Sequence, residues 1–560
     1  MTTFLPASAA RAVTTAGTAL TAASALLAWT WTDEFPGDLT YNLSPAGLQW
    51  VALIVGLIGL AYALSSYGLR GLQWLAPAGG TSALRLLSLA AVASSWFSVG
   101  AISYQLGGLA NLEPGGWVLA IGSLLTLAAW QLPEDRRGVS APKALASWAE
   151  VLIIVAAFGI GLAVFAFGIG AEKELFTGFL IAVGFTVAAL NKSGLIGRLS
   201  ALTSKHRTVT TAGAFAAAAA FPFTQSNELY TLIGVNILIF ATVALGLNVV
   251  VGLAGLLDLG YVAFLGVGAY AAALVSGSPY SAFKGLHLPF PVAVLVGALA
   301  ALIFGVAIGA PTLRLRGDYL AIVTLGFGEI FRIAMNNMDG TSGPNLTNGP
   351  NGIAAIPDVS LFGFDFGQPH DLFGLQLGKF SNYLLLMLFV TAIVVLVFSR
   401  VSNSRIGRAW VAIREDETAA EAMGINGFRV KLIAFALGAT LAGMAGAVQA
   451  HVQSAVTPEV YVFAGPVPPN SAFLLAAVIL GGMGTISGPL LGASLLFLIP
   501  AKLEFLKDYQ LLTFGIALIL LMRLRPAGLI AGRRQQLEYE QADIPAQATP
   551  GDTVLTKAGA

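Results

Sequence analysis

The sequence predicts an all-α polytopic membrane protein, and three observations carry that reading. Of 560 residues, 56% are hydrophobic and only 10% charged, and the mean hydropathy is +0.80. That leaves too little polar surface to cover a soluble globule of this size, so the bilayer is the natural solvent. Apolar windows repeatedly reach the roughly 20 residues that a helix needs to cross about 30 Å of hydrocarbon. These windows are continuous, whereas a barrel would show short alternating strands. About 14 transmembrane helices are expected by this measure, plus one broken or re-entrant helix hairpin.

The first apolar run, near 15–31, follows Arg11 and ends in WTWTDEF. Aromatic residues at its exit suit the interfacial belt, and no small-x-small cleavage site precedes the next run, so it reads as a span rather than a signal peptide. Further runs near 46–67, 82–103, 115–131, 144–169 and 174–191 complete six candidate spans. The connection with Asp33, Glu34 and Asp38 lacks Lys and Arg, whereas Arg70 and the trio Arg136, Arg137 and Lys143 mark later turns. Lys and Arg identify the cytoplasmic side, which places the N-terminus inside.

Lys192–Arg207, KSGLIGRLSALTSKHR, is a basic and polar stretch between two apolar blocks and reads as a boundary. Runs near 209–223, 228–252, 259–276, 290–311, 318–336, 381–399, 431–452, 471–500 and 509–523 follow. Parity then puts Arg314 and Arg316 inside and residues 337–380 outside. A single crossing at 471–500 would leave the basic segment beginning at Arg523 outside. The conflict disappears if two half-helices meet near Gly481–Gly488, in LGGMGTISGPLLG, entering and leaving on one face; two short crossings give the same parity. Broken backbone at membrane depth is tolerated only where protein or a water-filled cavity covers it, so this region is a candidate pathway lining. The expected organisation is an N-terminal extension (1–200) of about six spans with no assigned role, a core (205–530) containing a cytoplasmic loop (400–431), and a disordered cytoplasmic tail (535–560).

Several chemistries are excluded. No GxxxxGK[ST] occurs, so the chain binds no ATP by a P-loop. The four histidines, His206, His287, His370 and His451, show no metal-ligand spacing, and there is no cysteine. No catalytic residue and no metal site are expected, and a net charge of +1 with scattered basic residues gives no nucleic-acid stripe. Ionisable groups within the spans are few. Asp258 reads as the N-cap of the helix after it, and Glu329 with Arg332 as a self-neutralising i,i+3 pair.

Residues 400–431, RVSNSRIGRAWVAIREDETAAEAMGINGFRVK, carry six Lys or Arg and a helical pattern of their own. Trp410, Ile413, Glu417, Ala420 and Glu421 share one face, and Gly424 is placed to stop the helix. Apolar Trp410, Ile413 and Met423 on a water-exposed amphipathic helix point to a surface for a partner's groove. Arg314, Arg316, Gly317 and Asp318 form a tight cytoplasmic turn in which the arginines fix orientation, Gly317 reverses the chain and Asp318 caps the next helix.

The run TAAEAMG is similar to the coupling-loop motif of ABC importer permeases, with Thr418 in place of the motif's Glu and the later Pro missing. LGLNVVVGLAGLLDLGYVAFLGVGAYAAAL (245–274), PTLRLRGDYLAIVTLGFGEIFRI (311–333), NGPNGIAAIP (348–357), GRAWVAIREDETAAEAMGI (407–425) and VILGGMGTISGPLLGA (478–493) are more specific. Together they resemble the LivM-like permeases of branched-chain amino acid ABC transporters. The resemblance implies a bacterial plasma (inner) membrane subunit paired with a second, LivH-like permease. Two cytoplasmic ATPases holding ATP and Mg, and an extracytoplasmic substrate-binding protein, would complete the importer. It implies branched-chain or other neutral amino acids as substrates, with urea or short amides as the alternative; apart from the resemblance, an ion-coupled secondary carrier is the rival class.

Partner ATPases would press on Arg414, Glu415, Asp416, Glu417, Ala419, Ala420, Glu421 and Gly424, and changes at Glu417, Glu421 or Gly424 would abolish transport without preventing membrane insertion. The candidate pathway comprises Asn248, Gly252, Gly255, Gly266, Gly268, Thr324, Gly481, Gly482 and Gly484. Close helix packing is the competing reading for every one of these glycines.

Overall fold

The structure, a computed structural model, describes residues 5–35, 38–40, 42–135, 145–225, 227–315, 318–341, 343–372, 375–465, 470–503, 509–524 and 528–530. The chain divides into two compact units: Met1–Thr224 with Lys502–Glu504, and Gln225–Ala501 with Phe505–Ala560. The tail expected over 535–560 lies outside the described residues.

The first unit contains α1 (Ala7–Ser24), α2 (Leu48–Ser65), α3 (Thr81–Gln105), α4 (Pro114–Leu125), α5 (Ser147–Gly170), α6 (Lys173–Lys192), α7 (Leu195–Lys205) and α8 (Arg207–Ala220). The buried face of α1 is small and hydroxylic: Ala10, Thr14, Gly17, Thr18, Thr21, Ala22 and Ser24. Gly56 and Gly59 of α2 lie against Ala22 and Thr18, and Gly122 of α4 lies against Leu20 and Thr21. Small residues let helix backbones approach closely in an apolar setting. Thr14 and Thr21 donate back to the Ala10 and Gly17 carbonyls at 2.8 and 2.9 Å, which satisfies their buried hydroxyls. The Lys192–Arg207 stretch is folded as the end of α6, α7 and the start of α8. Buried Glu150 of α5 holds α7 in place: its Oε2 lies 2.6 Å from Lys205 Nζ and 2.7 Å from His206 Nε2.

The second unit begins with α9 (Glu228–Asn248), which runs on through a π-helical turn, Val249–Leu253. It continues with α10 (Val262–Val275), α11 (Phe290–Thr312), α12 (Asp318–Asn337), α13 (Lys379–Ser402), α14 (Arg405–Glu415), α15 (Glu417–Ala422), α16 (Gly427–Gln453), α17 (Ser471–Gly481), α18 (Ser487–Lys502) and α19 (Gln510–Leu524). Asparagines start three of these helices. The side chains of Asn227, Asn426 and Asn470 accept from the backbone N–H of Leu229, Arg429 and Phe473 at 2.9, 3.0 and 3.0 Å.

At the centre of this unit α10, α11 and α16 pack backbone to backbone. A side chain at Gly268 of α10 would overlap the Gly443 backbone of α16, and a Cβ at Gly297 of α11 would stand 2.7 Å from the Gly268 carbonyl oxygen. Between α12 and α13 two antiparallel hairpins form, β1 (Ser360–Leu361) with β2 (Phe364–Asp365) and β3 (His370–Leu372) with β4 (Leu375–Leu377). Near the end of α12, Arg332 pairs with Glu329 as expected and also reaches Glu459 at 3.4 Å.

Among the described residues, nine helices are long and apolar enough to cross a membrane, and α10, α17 and α18 are shorter apolar helices. The all-α membrane class therefore stands, while the count differs from the expected fourteen for a physical reason. The runs at 115–131, 209–223, 259–276 and 509–523 fold as helices of 12, 14, 14 and 15 residues, the 18-residue α1 is not apolar enough to be among the nine, and 471–500 folds as two.

Candidate functional site

The 400–431 loop folds as a helical hairpin anchored by its own apolar residues. Ser404 caps α14, its Oγ accepting from Gly407 N at 3.2 Å. Trp410 is fully buried and donates from Nε1 to the Val430 carbonyl of α16 at 2.7 Å. Ile413 and Ala420 are buried beside it. The single helix expected up to Gly424 is instead broken at Asp416, whose backbone is extended and whose Oδ1 accepts from Ala419 N at 2.9 Å to start α15. An Asp offers its own N–H groups a better partner at a cap than within a helix, and here it divides one run into two.

This corrects the expected docking face. Trp410 and Ile413 point inward and hold the hairpin to the unit, and Glu417 Oε1 is bonded by Lys431 Nζ at 2.6 Å. The outward surface includes Glu415, Asp416, Thr418, Ala419, Glu421, Ala422 and Met423, the last 84% exposed. Gly424 ends the hairpin at φ +87°, and open space surrounds the position a Cβ would take.

Three distant segments meet behind this hairpin. The Arg414 guanidinium donates from Nη1 to the Gly252 carbonyl in the π-helical turn and from Nη2 to Glu415 Oε1 at 3.1 Å. Asn248, the last residue of α9, is fully buried. Its Nδ2 donates to the Thr485 carbonyl at 2.7 Å, and its Oδ1 accepts from Gly484 N at 2.8 Å. The turn between α17 and α18 thus lies against the end of α9 and beside α14. Thr485 completes that turn, donating from Oγ1 to the Gly482 carbonyl at 2.9 Å and accepting from Gly488 N at 3.0 Å. Leu529 N and Ile530 N donate to the carbonyls of Leu480 and Gly481 at 2.8 and 2.9 Å, satisfying the last turn of α17.

The expected pathway residues do not form one group. Asn248, Gly252, Gly255 and Gly484 gather around Arg414. Gly481 is packed against the Gly488 carbonyl, and Gly482 adopts φ +121° in the same turn. Gly268 belongs to the α10–α16 contact, and a Cβ at Gly266 would meet Phe331 at 2.5 Å and Tyr461 at 2.9 Å. Thr324 lies elsewhere, accepting from Leu259 N at 3.1 Å and donating to the Ala321 carbonyl at 3.0 Å. Arg314 follows α11, and Asp318 is the first residue of α12; Arg316 and Gly317 lie outside the described residues.

Two positions were misread or missed in the sequence. Thr485 has no motif of its own, and only its place between Gly484 and Gly488 marks it as a turn residue. Asp258 does not cap α10. Its Oδ1 accepts from Gly260 N at 3.0 Å, while Ser471 Oγ accepts from Val262 N at 3.1 Å. Burial pushes the Asp258 carboxyl up to about 7. Among the described residues no group of three or more His, Asp or Glu is placed to hold a metal ion.

Comparison with known proteins covers the same segments. The family of "branched-chain amino acid transport system / permease component" matches residues 229–522. The high-affinity branched-chain amino acid transport system permease protein LivM of Escherichia coli is 40% identical over 335 residues, 58% of this chain and 75% of the relative. The probable LivM of Methanocaldococcus jannaschii is 25% identical over 55% of this chain and 94% of its own length. The permease protein LivH of Escherichia coli is 25% identical over 52% and 91%. No solved structure matches significantly. With a family match over more than half of its length and a 40% identical relative, this multi-pass membrane chain belongs to the permease components of branched-chain amino acid transport systems.

Proposed function

We propose that this chain is the membrane-spanning permease subunit of an ATP-driven importer, moving branched-chain or other neutral amino acids delivered by an extracytoplasmic binding protein. It works beside a second, LivH-like permease and two ATPase subunits, which bind ATP and Mg and perform hydrolysis. It lies in the bacterial plasma (inner) membrane with both termini and the α14–α15 hairpin on the cytoplasmic side. The observation that carries the reading is the divided character of that hairpin. Its inner face is anchored by buried Trp410, while its outer face presents Glu415, Asp416, Glu421 and an 84% exposed Met423. A firmly anchored projection with a large exposed apolar side chain among acids suits the cleft of a protein partner. Closure of the ATPases presses on Arg414–Gly424, and the flanking α13 and α16 rock to open the pathway on alternating sides.

The test is reconstitution of the chain with its LivH-like partner, the ATPases and the binding protein, followed by uptake of leucine, isoleucine, valine, other neutral amino acids and urea. ATP-dependent uptake of the aliphatic amino acids is expected, and Glu421→Lys should abolish it while the chain still inserts. Preferential uptake of urea or short amides would reassign the substrate. Uptake by this chain alone, driven by an ion gradient, would overturn the reading in favour of a secondary carrier.

A further inference from the structure

We propose that Asn248 is a positioning residue for transport: it clamps the end of α9 to the α17–α18 turn, so that a push on α14, received through Arg414, moves all three as one body. The role in transport rests on the importer reading above; the clamp itself rests on geometry.

The Asn248 amide is fully buried and uses both of its ends on one turn, donating to the Thr485 carbonyl and accepting from Gly484 N–H. A neutral amide offers one acceptor and two donors, so this pairing fixes both the position and the orientation of the turn, which a single bond would leave free to swivel. Both ends of the amide being committed to backbone, Asn248 has little left to offer a passing substrate.

The second half of the joint is a helix terminus. The Val249 and Val250 carbonyls of the π-helical turn accept from Ala254 N and Leu256 N at 3.2 and 3.0 Å, and the helix stops there, so the Gly252 carbonyl stands at the negative end of the helix dipole. A guanidinium is the favoured partner there, and Arg414 supplies it at the Gly252 carbonyl. π-helical turns interrupt the regular ladder and recur at functional sites.

Missing side chains keep both bonds open. A Cβ at Gly252 would overlap Asn248 Oδ1 and stand 2.6 Å from Gly484 N, and one at Gly255 would overlap Arg414 Cγ. Gly255 also has φ +71°, a conformation that glycine adopts without strain. The polar contacts and the two bare positions thus describe a single device that links the outward-facing hairpin to the broken helix pair.

The decisive experiment uses the complete reconstituted importer and measures leucine uptake and ATP hydrolysis in the same vesicles. Asn248→Ala removes both clamp bonds, while Asn248→Asp keeps the acceptor for Gly484 N and loses the donor to Thr485. Uptake per ATP hydrolysed is expected to fall about tenfold in Asn248→Ala and less in Asn248→Asp, with hydrolysis retained. A purely structural role would instead lower uptake and hydrolysis together. The chain has no cysteine, so the pair Asn248→Cys and Thr485→Cys can be joined by a short reducible cross-linker in cysteine-free partners. The tether should restore the coupling that Asn248→Cys loses, and reductant should remove the rescue.

Coupling within about twofold of wild type in Asn248→Ala, or a tether that fails to rescue, overturns the clamp alone. If Asn248→Ala fails to assemble, the Asp variant and the tether decide. Absence of ATP-dependent uptake in the wild-type complex overturns the importer reading, and the transport role of Asn248 with it.

Discussion

Two groups of glycines in the second unit look alike in sequence and serve opposite ends. In the α10–α11–α16 contact, Gly268, Gly297 and Gly443 bring helix backbones directly against one another. Around Arg414, glycines at 252, 255 and 484 leave room for an amide and a guanidinium to reach backbone groups. The first group closes space and the second reserves it. A glycine-rich membrane segment is therefore not by itself evidence of a substrate path, since dry packing and a polar joint demand the same residue.

The largest expected effect breaks the dry contact. In Gly443→Leu the first side-chain atom would stand 2.4 Å from Ala301 Cβ and 2.8 Å from the Gly297 carbonyl oxygen, so a helix must be displaced. Overpacking of this kind costs about 3 kcal/mol or more when backbone must move. Loss of monodisperse protein on size-exclusion chromatography is the expected result, and a well-folded variant would show that the contact is looser than described. The α10–α16 packing needed the folded chain to be seen, because a small-residue pattern names no partner: Gly268 and Gly443 are far apart in sequence.

A smaller effect is expected at Gly424, a third use of glycine in which the backbone turns at φ +87° with open space around it. Only conformational strain opposes Gly424→Ala, so a loss of about 1 kcal/mol is expected, read as a modest fall in thermal unfolding temperature with assembly retained. A collapse as severe as that of Gly443→Leu would mean that Gly424 is packed against a neighbour after all.

The smallest effect concerns Asp258, in the segment that leads out of the polar joint. Burial moves its carboxyl from the ordinary 3.8 to about 7, so the folded chain keeps a proton that the unfolded chain has released. The stability this group contributes is thus fully present below about pH 4 and is lost as pH rises through about 7. Asp258→Asn stays neutral throughout and should flatten that fall. Thermal unfolding in detergent at about pH 5 and about pH 8 checks it, and an unchanged pH dependence in the variant would assign the effect to another group.

The helix-breaking glycines at 481–488 were legible because Gly, Pro and Ser cluster inside an apolar run, a local signal. Gly424 was legible as a helix stop for the same reason. The inward direction of Trp410 was not: its periodicity shows that it shares a face with Ile413, but not whether that face meets α16 or a partner. Nor was the split at Asp416, where three acids and a threonine, Glu415 to Thr418, are compatible with one helix or two.

By itself, the sequence determined the membrane class, the order of the apolar helices and the positions where backbone must turn, because hydropathy, helix period and glycine content act over a few residues. Only the tertiary structure decided which glycines close a contact and which make room for one. Asn248 and Thr485 are 237 residues apart, and Arg414 and Gly252 are 162. Such pairings are set by how the helices pack, a property of the whole unit that no local pattern records.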